Sequence, residues 1–131
     1  MPGVSCQNDL AIAHYDIADV LAAQRRREEA LKSLREAVRL QPGFWEARYL
    51  LGVELALRGD IAGARGQFSE VVRLNPRYAL AHLNLGVALA NEGRIEDALA
   101  EFQETLRLDP GNKSAQQRIE GLQLLQRRGG R

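Results

Sequence analysis

At 131 residues the chain has the length of one domain. A net charge of +1 excludes a general polyanion binder, and a single cysteine, Cys6, excludes an internal disulfide and a cysteine-built metal site. Hydrophobic residues make up 45% and charged residues 27%, an ordinary globular balance, and Ala, Leu, Glu, Arg and Gln are plentiful while β-branched runs are missing, so the expected class is all-α.

The first ten residues carry no clear period, and they are read as an N-terminal extension, 1–10, with an irregular start. The stretch MPGVSCQNDLAIAHYDIADVLAA lacks a basic beginning and is interrupted by His14, Asp16 and Asp19, so it is not a secretory signal. Nothing in the chain approaches 18 uninterrupted apolar residues; the expectation is a cytoplasmic protein with no membrane partner. Cys6 has no basic neighbour within four residues and reads as an incidental thiol.

From Ala11 onward the chain repeats itself every 34 residues without gaps, in units 11–44, 45–78 and 79–112. Position 7 of the unit holds Ile17, Leu51 and Leu85; position 8 holds Ala18, Gly52 and Gly86; position 11 holds Leu21, Leu55 and Leu89. With position 4 these lie on one face of a first helix. Polar breaks follow at QRR (24–26), RGD (58–60) and EGR (92–94), where Gly59 and Gly93 suit a left-handed helix end. Asp60 suits the cap of a second helix. That helix carries Ala30, Ala64 and Ala98 at position 20, and Leu34, Phe68 and Phe102 at position 24. Small residues at positions 8 and 20 are expected to face each other and let the two helices approach closely. The stretches RLQP, RLNP and RLDP then end each unit at Pro42, Pro76 and Pro110.

Beyond the third unit, Asn112 is placed to cap a seventh helix, 113–126, with Ala115, Ile119, Leu122 and Leu125 as its apolar stripe. A polar-backed last helix covers the open end of a stack. Residues 127–131, RRGGR, read as a flexible tail. No equally polar helix precedes Ala11, so the first helix reads as an exposed end.

The recurring positions, and most of all ALAHLNLGVALANEGRIEDALAEFQETLRLDPGN in the third unit, resemble the tetratricopeptide repeat family. The departures are His14, Arg48 and His82 at position 4, where the family often has Trp, and Arg25-Arg26-Arg27 in place of the first unit's glycine turn. The resemblance implies a right-handed α-α superhelix of three helix-turn-helix repeats with a seventh, capping helix. It also implies a concave surface lined by the first helix of each repeat. Carried onto this chain, that surface gives the candidate groove residues Tyr15, Asp16, Asp19, Tyr49, Leu50, Val53, Leu83, Asn84, Val87 and Asn91. Positions 5 and 9 read Tyr15/Asp19, Tyr49/Val53 and Leu83/Val87, an apolar stripe with an acidic end. Contiguous apolar residues on an open wall mark a partner site.

Relatives that grip a C-terminal carboxylate use Lys, Asn and Arg at positions filled here by Tyr15, Asp19, Leu50, Leu80 and Asn84. None of these is cationic, and Asp19 repels a carboxylate. Position 6 reads Asp16, Leu50 and Asn84, so there is no asparagine ladder either. An apolar peptide or amphipathic helix, with a basic residue toward Asp16 and Asp19, fits better.

No catalytic constellation is visible. His14 and His82 share one position two periods apart, and GDIAGARG (59–66) lacks the lysine and preceding strand of a phosphate loop. RRREE (25–29) reads as a solvated turn. The expectation is therefore a non-catalytic protein-interaction scaffold with no cofactor, no metal and no nucleic-acid partner. The alternatives are a self-associating module, giving a homo-oligomer, and a regulatory segment of a larger enzyme or complex.

Overall fold

A computed structural model describes the backbone of residues 2–129 and the side chains from Cys6 onward. Seven helices follow one another: α1 (Pro2–Ala23), α2 (Arg27–Leu40), α3 (Trp45–Leu57), α4 (Ile61–Leu74), α5 (Ala79–Asn91), α6 (Ile95–Leu108) and α7 (Lys113–Gly129). They pair as α1/α2, α3/α4 and α5/α6, and each pair packs on the next helix along the chain, ending with α7 on α6. The result is an all-helical solenoid with no strand among the described residues. Two boundaries differ from the sequence reading. The irregular start is absent, because α1 runs unbroken from Pro2 through Cys6, and α7 continues past 126 to Gly129.

The breaks inside each unit share one geometry. The N–H of Arg26, Asp60 and Arg94 reaches back to the carbonyl of Leu21, Leu55 and Leu89, at 2.8, 2.9 and 2.9 Å, closing the end of the first helix. This closure needs a left-handed residue just before the donor. Gly59 and Gly93 supply it with φ of 85° and 80°. In the first unit Arg25 takes the same place at φ 63°, so the arginine adopts the glycine turn rather than abolishing it. Asp60 caps α4 by accepting the Gly63 N–H at 2.9 Å, and Asn112 caps α7 through the Ala115 N–H at 2.9 Å.

Within the pairs the close approach is between position 8 and position 24. A Cβ on Gly52 would lie 2.7 Å from Cε1 of Phe68, and one on Gly86 would lie 2.6 Å from Cε1 of Phe102. The glycine therefore makes room for the phenylalanine ring. In the first unit the corresponding residues are Ala18 and Leu34, a larger helix residue with a smaller partner, and both are fully buried. The two solutions fill comparable space.

The RL-x-P stretches fasten one unit to the next. The proline carbonyl accepts a hydrogen bond from the side chain six residues on: Pro42 from Arg48 Nε at 2.8 Å and Pro110 from Gln116 Nε2 at 3.2 Å. His82 Nε2 stands 2.8 Å from the Pro76 carbonyl in the same arrangement. The second group on that side chain ties to the following helix, Arg48 Nη1 to Gln67 Oε1 at 3.1 Å and His82 Nδ1 to Glu101 Oε2 at 2.7 Å. The arginine of each stretch pairs along its own helix, Arg39 with Glu36, Arg73 with Glu70 and Arg107 with Glu104. Hydrogen bonds from these guanidinium groups hold the three glutamates below the ordinary carboxylate range.

The core runs along the stack through Leu31, Leu34, Leu51, Phe68, Leu85 and Phe102. One expected core residue is not in it. Ile17 is 51% exposed, whereas Leu51 and Leu85 at the same position are 3% and 6% exposed. Within this structure α1 has no second helix before it to cover that face. At the other end Ala115, Ile119 and Leu122 of α7 pack onto the core, but Leu125 stays 59% exposed.

Candidate functional site

Helices α3 and α5 stand side by side in the stack with α4 between them in sequence. Their facing side chains leave a hollow of about 350 Å³. Tyr49, Val53, Ala56 and Leu57 line it from α3; Asn84, Val87, Ala88 and Asn91 line it from α5. Phe68 and Ile61 of α4 complete it. The wall is mostly apolar, and Leu57 at its edge is 61% exposed. The polar groups are few and placed. Asn84 Nδ2 donates to the Tyr49 hydroxyl at 2.9 Å, bridging the two helices across the hollow. Burial pushes the Tyr49 hydroxyl above its ordinary value, so it stays neutral and can donate onward. Asn91 is exposed and makes no hydrogen bond from its side chain to any described residue.

A second recess, of about 510 Å³, opens between α1 and the start of α3. Ile12, Tyr15 and Asp16 line it from α1, Trp45 and Glu46 from α3, and Gln41, Gly43 and Phe44 from the connection between α2 and α3. Tyr15 packs on Phe44 with ring centroids 5.1 Å apart. Burial, then the carboxylates of Asp19, Glu46 and Asp16, push the Tyr15 hydroxyl above its ordinary value. Aromatic contacts join the two hollows. Trp45 meets Tyr78 at 5.0 Å, Tyr78 meets Tyr49 edge-on at 5.1 Å, and Tyr49 meets Phe68 at 5.9 Å.

The ten candidate groove residues therefore separate. Tyr49, Val53, Asn84, Val87 and Asn91 share the α3–α5 hollow, and Tyr15 and Asp16 share the recess. Asp19 is exposed beside Tyr15 without lining either. Leu50 is half-buried against the core and lines neither hollow. Leu83 is 9% exposed and belongs to the core. The last helix does not reach either hollow; Arg118 lines a shallow recess with Leu122 and Leu125 instead. Sequence reasoning missed Ile61 and Phe68, which come from a second helix, and the aromatic link through Trp45 and Tyr78. The aromatic residues at the unit junctions, Phe44, Trp45 and Tyr78, were the one available signal.

The sequence profile of the tetratricopeptide repeat family matches residues 15–68 and 54–113, well over half of the chain. The chain belongs to the tetratricopeptide repeat family. Three solved structures show how far the likeness of this tetratricopeptide protein goes. The first domain of Spaghetti (RPAP3), bound to the HSP90 peptide SRMEEVD, superposes with a TM-score of 0.86 at 18% identity, over 90% of this chain and 94% of that one. The second such domain of human RPAP3, in complex with the HSP70 peptide SGPTIEEVD, gives 0.83 at 18% identity over 89% and 98%. YrrB, described as a tetratricopeptide protein with an unusual peptide-binding site, gives 0.75 at 30% identity over 82% of this chain and 55% of its own. No curated protein matches the sequence. Among the described residues no group of His, Cys, Asp and Glu is arranged to hold a metal ion, and no helix is long and apolar enough to cross a membrane.

Proposed function

We propose that this protein is a non-catalytic interaction scaffold that holds a peptide or amphipathic helix of a partner protein in the α3–α5 hollow. The observation that carries this reading is the open apolar wall of Val53, Leu57 and Val87, flanked by the hydrogen-bonded Tyr49–Asn84 pair and the exposed Asn91 amide. An apolar side chain of the partner fills the wall, and the amides face its backbone. Structural neighbours that hold peptides support the class of partner. They do not extend to the acidic tails in two of those structures, because Tyr15, Asp19, Leu50, Leu80 and Asn84 offer no cation to a carboxylate. The test is selection of binders from a displayed random-peptide library, followed by affinity measurement on Val53→Glu with Val87→Glu. Loss of about tenfold or more, with helical content unchanged by circular dichroism, is expected. Undiminished binding of the selected peptides places the site elsewhere. Leu83 is no part of this test, since truncating it empties core.

Self-association is a second reading, favoured by one observation. Leu10, Ile17 and Val20 leave α1 with an apolar face, each about half exposed. Two copies could bury these faces against each other. Light scattering over a concentration series decides: a mass that stays monomeric at high micromolar concentration ends this reading, and a dimer must be dispersed by Ile17→Lys with Val20→Lys.

A further inference from the structure

We infer that the partner segment carries a basic side chain, best an arginine, that seats in the acid-and-aromatic recess formed by Tyr15, Asp16, Trp45 and Glu46 while its apolar side chain fills the neighbouring hollow. This rests on the groove reading above and adds the partner's charge and spacing. Most acids of the chain are already matched: Glu28, Glu29, Glu36, Glu54, Glu70 and Glu92, for example, each pair with an arginine. Asp16 and Glu46 pair with no described residue, yet they line one recess with Tyr15 from two different helices, α1 and α3. No lysine, arginine or histidine lines the recess.

Like charges gathered on one concave surface repel, and a cation brought among them removes that repulsion while gaining attraction to each. The aromatic wall selects the same charge, because Tyr and Trp faces attract cations. Arginine suits the place better than lysine, since its planar, weakly hydrated head stacks on rings and forks onto carboxylates. The sign is opposite to that of a site built for an acidic tail. Spacing follows from the repeat. Successive first helices lie roughly 10 Å apart by ordinary helix packing, and an extended chain rises about 3.3 Å per residue, so the arginine falls about three residues from the apolar anchor.

The experiment uses two capped tetrapeptides, Arg-Ala-Ala-Leu and Leu-Ala-Ala-Arg, each with a counterpart in which citrulline replaces arginine. Titration into the isotope-labelled full chain is followed by two-dimensional NMR, which reads millimolar affinities. At least one arginine peptide is expected to shift resonances of both the recess (Tyr15, Trp45) and the hollow (Val53, Val87). Citrulline should weaken it about tenfold. Asp16→Asn with Glu46→Gln, both at exposed positions, should erase the difference between arginine and citrulline. Glu120→Gln, an exposed acid on α7, should leave it intact. Equal binding of the two peptides at the hollow overturns the cation seat and leaves the groove reading standing. Shifts confined to the recess uphold the seat and overturn the groove reading. Shifts at neither place overturn both.

Discussion

Arg25 occupies a conformation that its two counterparts give to glycine. A left-handed backbone costs a residue with a Cβ about 1–2 kcal/mol. Replacing it with glycine removes that strain but adds entropy to the unfolded chain. The net expectation for Arg25→Gly is a gain of about 0.5–1 kcal/mol, read as a raised urea midpoint with an unchanged slope. Gly93→Arg, the reverse exchange in the third unit, should lose about 1 kcal/mol. A destabilised Arg25→Gly would mean that the arginine side chain contributes more than its backbone costs. At the same scale Glu54 is 2% exposed and receives two hydrogen bonds from Arg27 at 2.9 and 3.2 Å, so that pair joins the first unit to the second through a buried charge. The neighbouring exposed pairs, such as Arg26–Glu29, contribute little by comparison.

Between elements the informative contrast is how two helices share a fixed space. Units two and three use glycine against phenylalanine; unit one uses alanine against leucine. Gly86→Ala should cost about 1–2 kcal/mol, the overpacking being partly offset by better helix propensity. Phe102→Leu alone should cost a similar amount by leaving a void. The double variant copies the first unit's solution and should recover about 1 kcal/mol or more relative to the sum. Thermal or urea unfolding of all four proteins closes the cycle, and strict additivity would show that these side chains do not compete for one space. The proline clips act at the same level: Arg48, His82 and Gln116 differ in chemistry, but each serves the carbonyl six residues before it.

For the whole molecule, helices packing mainly on their neighbours along the chain make stability a sum of units and the interfaces between them. The same position then has a different value at the end of the stack than inside it. Leu51→Ala should cost about 2–4 kcal/mol, because the residue is enclosed between units. Ile17→Ala, at the equivalent place on an uncovered helix, should cost under about 1 kcal/mol in the monomer. Equal losses measured at low protein concentration would show that the α1 face is covered after all. The apolar α1 face and the α3–α5 hollow are thus two unlike consequences of one repeat, the first an uncovered interface and the second a surface formed between first helices.

The repeat period, the helix boundaries within each unit, the caps at Asp60 and Asn112 and the family were all legible in the sequence. Each depends on contacts a few residues apart or on a position recurring at a fixed interval. Half of the hollow was legible for the same reason, since Tyr49, Val53, Asn84, Val87 and Asn91 lie on the predicted face of their own helices. What only the tertiary structure decided was how equivalent positions diverge. Ile17 is exposed and Leu51 buried because no described helix packs over the Ile17 face, whereas α3 lies between neighbouring units. Leu83 entered the core while Tyr49 remained on the wall, although both hold position 5. Ile61, Phe68 and Trp45 reached the two hollows, and Tyr78 the aromatic contacts between them, from outside the face that the pattern marks. A repeated sequence specifies local geometry equally in every unit, but exposure depends on what stands across from a side chain, and that neighbour lies in another unit.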